Sequence, residues 1–134
     1  MGKLTLILAA GALALATAAA AAAPTVTVRS SSYGKILFDG RGHVLYAFTH
    51  DARGHSRCTG ACAKAWPPYV VKTRPQGRLL GATKRPDGSL QVTYAGRPLY
   101  YYVGDRKPGQ ILCQNVSEFG GLWLVVRPNG GLVR

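Results

Sequence analysis

One stretch of this chain is written twice. Residues 38–51 read FDGRGHVLYAFTHD and residues 92–105 read VTYAGRPLYYYVGD. At an offset of 54, Gly42 meets Gly96, Leu45 meets Leu99 and Tyr46 meets Tyr100, while Phe48 meets Tyr102 and Asp51 meets Asp105. The shared unit is G-x-x-L-Y-x-[FY]-x-x-D. Further on the match loosens but continues, with Cys58 and Cys113, then WPPYVV from Trp66 and WLVV from Trp123. Two copies make a duplication, not a solenoid, which needs three or more units to bury a continuous core. A chain of 134 residues therefore folds as two similar halves within one small domain. That length excludes a multidomain enzyme.

Each half reads as antiparallel β structure. Ile36–Asp39 is an apolar run, Gly40-Arg41-Gly42 a turn, and His43–Thr49 a return strand with Val44, Tyr46 and Phe48 at alternate positions. In the second half Ser89–Tyr94, Ala95-Gly96 and Arg97–Val103 play the same parts, after a turn at Pro86-Asp87-Gly88. Trp66–Lys72 and Gly121–Arg127 read as further strands, and Pro67 and Pro68 confine the former to an edge or a late start. Cys58–Ala65 and the stretch near Val116–Phe119 leave room for short helical turns. The predicted fold is all-β: two duplicated hairpin or meander units, about residues 33–72 and 86–128, packed on one aromatic core. Trp66, Trp123, Tyr46, Tyr100, Phe48 and Tyr102 are expected to be largely buried. Seventeen Gly and eight Pro argue against a helical bundle.

Residues 1–22 read as a secretory signal peptide. Lys3 supplies the positive start, Leu4–Leu15 the apolar stretch, and TAAAAAAP small residues for cleavage between Ala22 and Ala23. Leu4–Ala23 is also long enough to span a bilayer, but half of it is Ala and no charge cluster follows to stop transfer. Cleavage leaves residues 23–134 as a secreted domain with no transmembrane span. No cysteine precedes Cys58, so lipid attachment at a leader cysteine is not expected.

The Y-x4-D motif twice, with S-x-C-x-G-x-C-A-x-x-W-P-P between, resembles a bacterial secreted-repeat family often described as predicted lipoproteins. The resemblance runs through Leu45–Asp51, Ser56–Pro68, Leu80–Tyr102 and Gly120–Gly130. It implies a small, mostly β, extracytoplasmic protein and no particular activity. It also implies a disulfide between Cys58 and Cys62, where Gly60 allows a tight turn. Cys113, His50 and His55 lie outside the family pattern. Pairing of Cys113 with one of the other two stays open, since closing the longer loop contributes about 4 kcal/mol against about 2 for the short one.

Three further chemistries are legible. His50, Asp51, His55, Cys58 and Cys62 form H-D-x3-H-x2-C-x3-C, a set of imidazoles and thiols that suits copper or zinc. Secretion, which favours oxidised thiols, argues against it. Cys58 with His55 or His50 would make a thiol–imidazole pair, without an evident third group to orient it. Asp51 and Asp105 are either paired carboxylates for a cation or for acid–base work, or strand-ending acceptors for backbone N–H groups. Repetition favours the second, because folding needs recur in every unit and one active site does not. No GxSxG, HExxH or phosphate-binding loop is present.

Charge is the last constraint. Lys and Arg number 17 against 5 acids, a formal +12 that falls to +11 when Lys3 leaves with the leader. No basic run exceeds Lys84-Arg85 or Arg106-Lys107, and no aromatic–basic recognition motif is present, so specific nucleic-acid binding is not expected. The sequence points to a non-enzymatic envelope or extracellular module that binds anionic cell-wall or surface polymers, or partner proteins. Copper or zinc binding, or thiol redox, through His50–Cys62 is the alternative.

Overall fold

The computed structural model describes residues 1–18 and 23–134. Among the described residues, no helix is long and apolar enough to cross a membrane. The expected cleavage point after Ala22 lies outside the described residues.

The chain is built from short strands. β1 (Val26–Ser31) and β2 (Gly34–Asp39) form a hairpin, followed by β3 (Tyr46–Phe48), a short helix α1 (Ala61–Ala65) and β4 (Val70–Val71). The second half repeats the plan with β5 (Leu80–Lys84) and β6 (Leu90–Tyr94), then β7 (Arg97–Pro98), β8 (Val116–Glu118) and β9 (Gly121–Val125). All pairings are antiparallel: β1 with β2, β3 with β9 and β9 with β8, and β6 with β4, β5 and β7. The all-β duplicated architecture is thus the one the sequence predicts.

Two expectations need correction. Each unit starts one strand earlier than residues 33 and 86, at β1 and β5. β1 is mostly exposed, so hydrophobic patterning did not reveal it. The Val116–Phe119 stretch forms a strand, not a helical turn. Phe119 and Gly120 both take positive φ (56° and 86°) and reverse the chain tightly onto β9.

The two halves meet about a pseudo-two-fold axis. Tyr46 and Tyr100, equivalent residues of the repeat, exchange both main-chain hydrogen bonds at 2.9 Å. On their outer edges Tyr46 pairs with Val125 and Tyr100 bridges Pro68, so four short segments form a row centred on the axis. Alternation along the central strands sends side chains to both faces. Val44, Tyr46 and Phe48 enter an aromatic core with Trp66, Tyr100 and Trp123. Leu45 and Ala47 enter a second, aliphatic core with Leu37, Val92 and Leu99.

Four rings form a pile across the axis. Phe48 stacks on Trp123 and Trp123 on Trp66, each at 4.1 Å between centroids and 6° between planes. Tyr102 closes the pile on Trp66 at 4.9 Å. Tyr46 meets the Trp66 ring edge-on at 5.2 Å, and Tyr100 meets Trp123 likewise at 5.0 Å. Each such pair contributes about 0.5–1.5 kcal/mol beyond area burial. Five of the six expected core aromatics are buried. Tyr102, at the outer end, is half-buried.

The motif glycines lock the halves together. The turn of each hairpin docks on the loop that follows the aspartate of the other unit: Gly54 N–H donates to Gly96 O at 2.6 Å, and Gly109 N–H to Gly42 O at 2.9 Å. Gly42 and Gly96 have φ of +92° and +79°. A Cβ on Gly96 would lie 2.8 Å from Arg53 Cγ. Gly96→Ala is therefore expected to cost about 1–3 kcal/mol, from left-handed strain plus displacement of Arg53. Urea unfolding would measure it, and a neutral substitution would contradict the docking role.

Candidate functional site

The repeated Y-x-[FY]-x-x-D unit builds the polar centre of the molecule, and it does so crosswise. Tyr46 Oη donates to Asp105 Oδ2 at 2.6 Å, and Tyr100 Oη donates to Asp51 Oδ2 at 2.7 Å. Each tyrosine thus serves the aspartate of the other repeat. The second oxygen of each carboxylate caps the loop that follows it, accepting from Arg57 N–H at 2.7 Å and from Leu112 N–H at 2.9 Å. Side-chain acceptors of this kind hold loops that have no ladder of their own. A third pair, absent from the sequence expectations, joins Tyr101 Oη to Asp39 Oδ2 at 2.8 Å, while Asp39 Oδ1 accepts from the N–H groups of Arg41 and His43 at 2.9 Å each.

The two ends of the crossed arrangement differ. Around Asp51 the network continues inward. Ser56 Oγ lies 2.7 Å from Tyr100 Oη and accepts from Arg85 Nη1 at 3.0 Å. Arg85, 7% exposed, also donates to Gln91 Oε1 at 2.8 Å and to Cys58 O at 2.7 Å. A buried guanidinium without these acceptors would be costly. In the sequence Arg85 sits in a polar turn and carries no sign of burial. Around Asp105 the counterpart of Ser56 is the apolar Ile111, and Tyr46 Oη is approached by the Cys113 N–H at 3.5 Å.

Cys58 and Cys62 form a disulfide with Cα atoms 5.2 Å apart, and Cys113 is a half-buried free thiol. Cys113 holds the place in its unit that Cys58 holds in the other. His50 and His55 are exposed. The four-donor set His50, His55, Cys58 and Cys62 is therefore not available as a metal centre, because its two sulfurs are bonded to each other. Among the described residues, no three His, Cys, Asp or Glu side chains gather closely enough to hold an ion. The same bond takes Cys58 out of any thiol–imidazole pair.

Burial is the dominant influence on the titrating groups. It pushes the Asp51 carboxyl up, with the Arg57 N–H, the Tyr100 hydroxyl and the Arg85 charge pulling back. It does the same to Asp105, opposed by the Tyr46 hydroxyl and the Leu112 N–H. Burial and the facing aspartates push the phenols of Tyr46, Tyr100 and Tyr101 far up, so all three remain donors at physiological pH. At Asp39 burial also pushes upward, but the His43 N–H, the Tyr101 hydroxyl and the Arg41 N–H and charge outweigh it. Its carboxyl is held below the ordinary 3.8.

Glu118 completes the set of acids. Its Oε2 accepts from Trp66 Nε1 at 2.9 Å, and its main-chain oxygen from Trp123 Nε1 at 3.1 Å. Four of the five acids in the chain thus accept from a buried or half-buried aromatic donor. The fifth, Asp87, bonds the Ser89 hydroxyl and N–H within its own turn.

Two outcomes follow. Tyr46→Phe leaves Asp105 Oδ2 without its donor and is expected to cost about 2 kcal/mol in urea unfolding. A carboxyl lowered on folding stabilises the protein above its unfolded value, and that stabilisation is lost as pH falls through the folded value. Asp51 and Asp105, raised on folding, run the other way: their ionised forms cost stability at neutral pH, and acid relieves that cost. Asp39→Asn is therefore expected to destabilise at pH 7 and progressively less below pH 3.8. A penalty constant from pH 7 to pH 2.5 would refute the ionised role of Asp39.

A family model described as a secreted repeat of unknown function matches residues 27–69 and 81–127. These two segments coincide with the two structural units, beginning in β1 and β5. No curated protein and no solved structure matches the chain. The duplication, the crossed tyrosine–aspartate pairs that both copies build, and the match over both units place the chain in that family of secreted repeats.

Proposed function

We propose that the protein is a non-enzymatic module that adheres to anionic polymers of the cell envelope or its surroundings. The observation that carries this reading is where the acids go. Every acid is committed to an aromatic or turn donor, and among the described residues one ion pair is formed, between Arg41 Nε and Asp39 Oδ2 at 3.5 Å. Of the 17 Lys and Arg, Arg85 is buried, Arg97 is half-buried and the rest are exposed. The positive charge is therefore not balanced by surface acids; it is presented to solvent. A surface of this kind draws polyanions at long range, and salt weakens the attraction.

The polar centre supports a structural role for the motif. Asp51 and Asp105 each have both oxygens engaged, and their tyrosines are locked as donors. Such carboxylates hold loops and have no free oxygen to offer a substrate. Arg53 and Arg97 flank a cleft of about 180 Å³ beside Asp51, at the seam between the repeats, where a polymer strand would find two guanidinium groups together.

Retention on immobilised polyphosphate, with uncharged dextran as control, tests the reading. The protein is expected to bind the polyanion, with affinity falling about tenfold or more between roughly 0.05 and 0.2 M salt. Charge reversal at Arg53, Arg57 and Lys84 is expected to weaken retention, whereas His50→Ala with His55→Ala leaves it unchanged. Binding that ignores salt and charge reversal would sink the proposal.

A further inference from the structure

The pseudo-symmetry allows the two halves to be compared edge by edge. Trp66–Val70 is the counterpart of Trp123–Arg127. In both segments one set of main-chain groups bonds inward: Tyr69 O accepts from Val92 N–H at 2.8 Å, and Val126 O accepts from Leu37 N–H at 2.9 Å. The alternate groups face the opposite edge. In the second unit that edge is covered by the chain itself, which reverses so that Leu132 bridges Val126. Val133 N–H donates there to Val125 O at 3.1 Å, and Arg127 N–H donates to Gly131 O at 2.8 Å.

In the first unit the chain does not turn back. It pairs with β6 through β4 and runs on through residues 72–79 into β5. The counterparts of Val125 C=O and Arg127 N–H are Pro68 C=O and Val70 N–H. The bonds Tyr101 N–H to Pro67 O at 2.8 Å, Tyr69 N–H to Leu99 O at 2.9 Å and Val92 N–H to Tyr69 O leave Pro68–Tyr100 and Val70–Gln91 as non-hydrogen-bonded pairs, so Pro68 C=O and Val70 N–H both point outward, away from Tyr100 and β6. This edge opens on a hollow of about 630 Å³ lined by Pro68, Tyr69, Val70, Tyr101 and Arg41, with residues 23–25 at one end. Its volume is that of a ligand site. The Tyr69 and Tyr101 rings lie 5.2 Å apart, Val70 is 47% exposed, and the Arg41 side chain is 76% exposed at the rim. Arg41 Nε lies 3.5 Å from Asp39 Oδ2, but Asp39 is almost wholly enclosed, so the rest of the exposed Arg41 guanidinium is the charge the rim offers.

We propose that this edge docks an extended peptide segment of a partner protein. The segment adds antiparallel to Pro68–Val70 as Leu132–Val133 adds to Val125–Arg127. Its N–H bonds Pro68 C=O, its C=O accepts from Val70 N–H, an apolar side chain rests on Tyr69 and Tyr101, and an acidic side chain meets Arg41. Strand addition of this kind draws affinity from main-chain hydrogen bonds and selectivity from alternate side chains. The twin edge shows which chemistry fits: a strand carrying an aliphatic residue between a free C=O and a free N–H, as Leu132 lies between Gly131 C=O and Val133 N–H. The site is independent of polyanion adhesion, and salt separates the two, since pairing of main-chain groups is weakly screened.

The test uses the purified protein, labelled with nitrogen-15, and the peptide Asp-Gly-Leu-Val-Asp, patterned on the return strand with acids at its ends. In the free protein the Val70 amide is expected to exchange with solvent at least tenfold faster than the Arg127 amide. Peptide is expected to shift the Val70 resonance saturably, to slow its exchange, and to keep doing so at about 0.5 M salt, where surface attraction is screened. Val70→Pro removes the N–H at an outward edge position, where proline is tolerated, and is expected to abolish binding. Val70→Ala keeps the N–H and keeps binding. Equal exchange at Val70 and Arg127, no shift at Val70, or the same shifts with a neutral oligosaccharide would overturn the proposal. Should Val70→Pro not fold, the wild-type exchange comparison and the Val70→Ala titration decide it.

Discussion

Two tyrosine hydroxyls crossing a pseudo-two-fold axis hold this protein together. Tyr46 and Tyr100 face each other across the axis through reciprocal main-chain bonds, and each phenol reaches past the axis to the aspartate of the opposite repeat. The aspartate in turn fixes the loop behind it, and that loop receives the hairpin turn of the other half through Gly54 or Gly109. Remove the crossing hydroxyls and each aspartate loses the donor that ties its loop to the other repeat. Each repeat carries the whole sequence motif, but its tyrosine–aspartate bond is completed only between repeats. This explains why a chain with such short strands can hold a single shape. Its cooperativity lies in cross-repeat contacts more than in long ladders.

The same device decides the surface. A basic protein commonly screens itself with surface carboxylates. Here the few acids are drawn inward or against aromatic N–H and O–H groups, which supply the hydrogen bonds that buried carboxylates can no longer take from water. The exposed cations are what remains. The architecture of the interior and the positive charge of the exterior are therefore consequences of one allocation of charge. The duplication is also imperfect, and its departures mark where the halves serve different ends. Cys58 bonds Cys62 in one unit, while Cys113 stays single in the other. One strand edge is covered by the C-terminal return, and among the described residues its counterpart at Pro68–Val70 stays open.

Much of the fold was readable because duplication doubles every signal. Gly42 with Gly96, the paired tyrosines and the two tryptophan strands each had a second instance to confirm the pattern, and the aromatic core followed from their alternation. The disulfide came through family resemblance, and the structure bears it out. β1 escaped because it is largely solvated and carries little hydrophobic period, and β8 because positive φ at Phe119 is not written in the residue type. The metal reading came from spacing alone, which brought histidines and cysteines close in sequence without showing that two of the donors spend their electrons on each other.

By itself the sequence determined the β class, the two-unit plan, the aromatic content of the core and the excess of positive charge, since these depend on local pattern and composition. Only the tertiary structure decided which aspartate each tyrosine serves, that Arg85 is buried, and which strand edge the described residues leave uncovered. Those outcomes rest on contacts between residues 27 to 59 positions apart. Equivalent residues in two repeats are indistinguishable as partners until the chain is folded across the axis. Pairing within a unit and pairing between units leave the same sequence pattern, and only the geometry at the axis separates them.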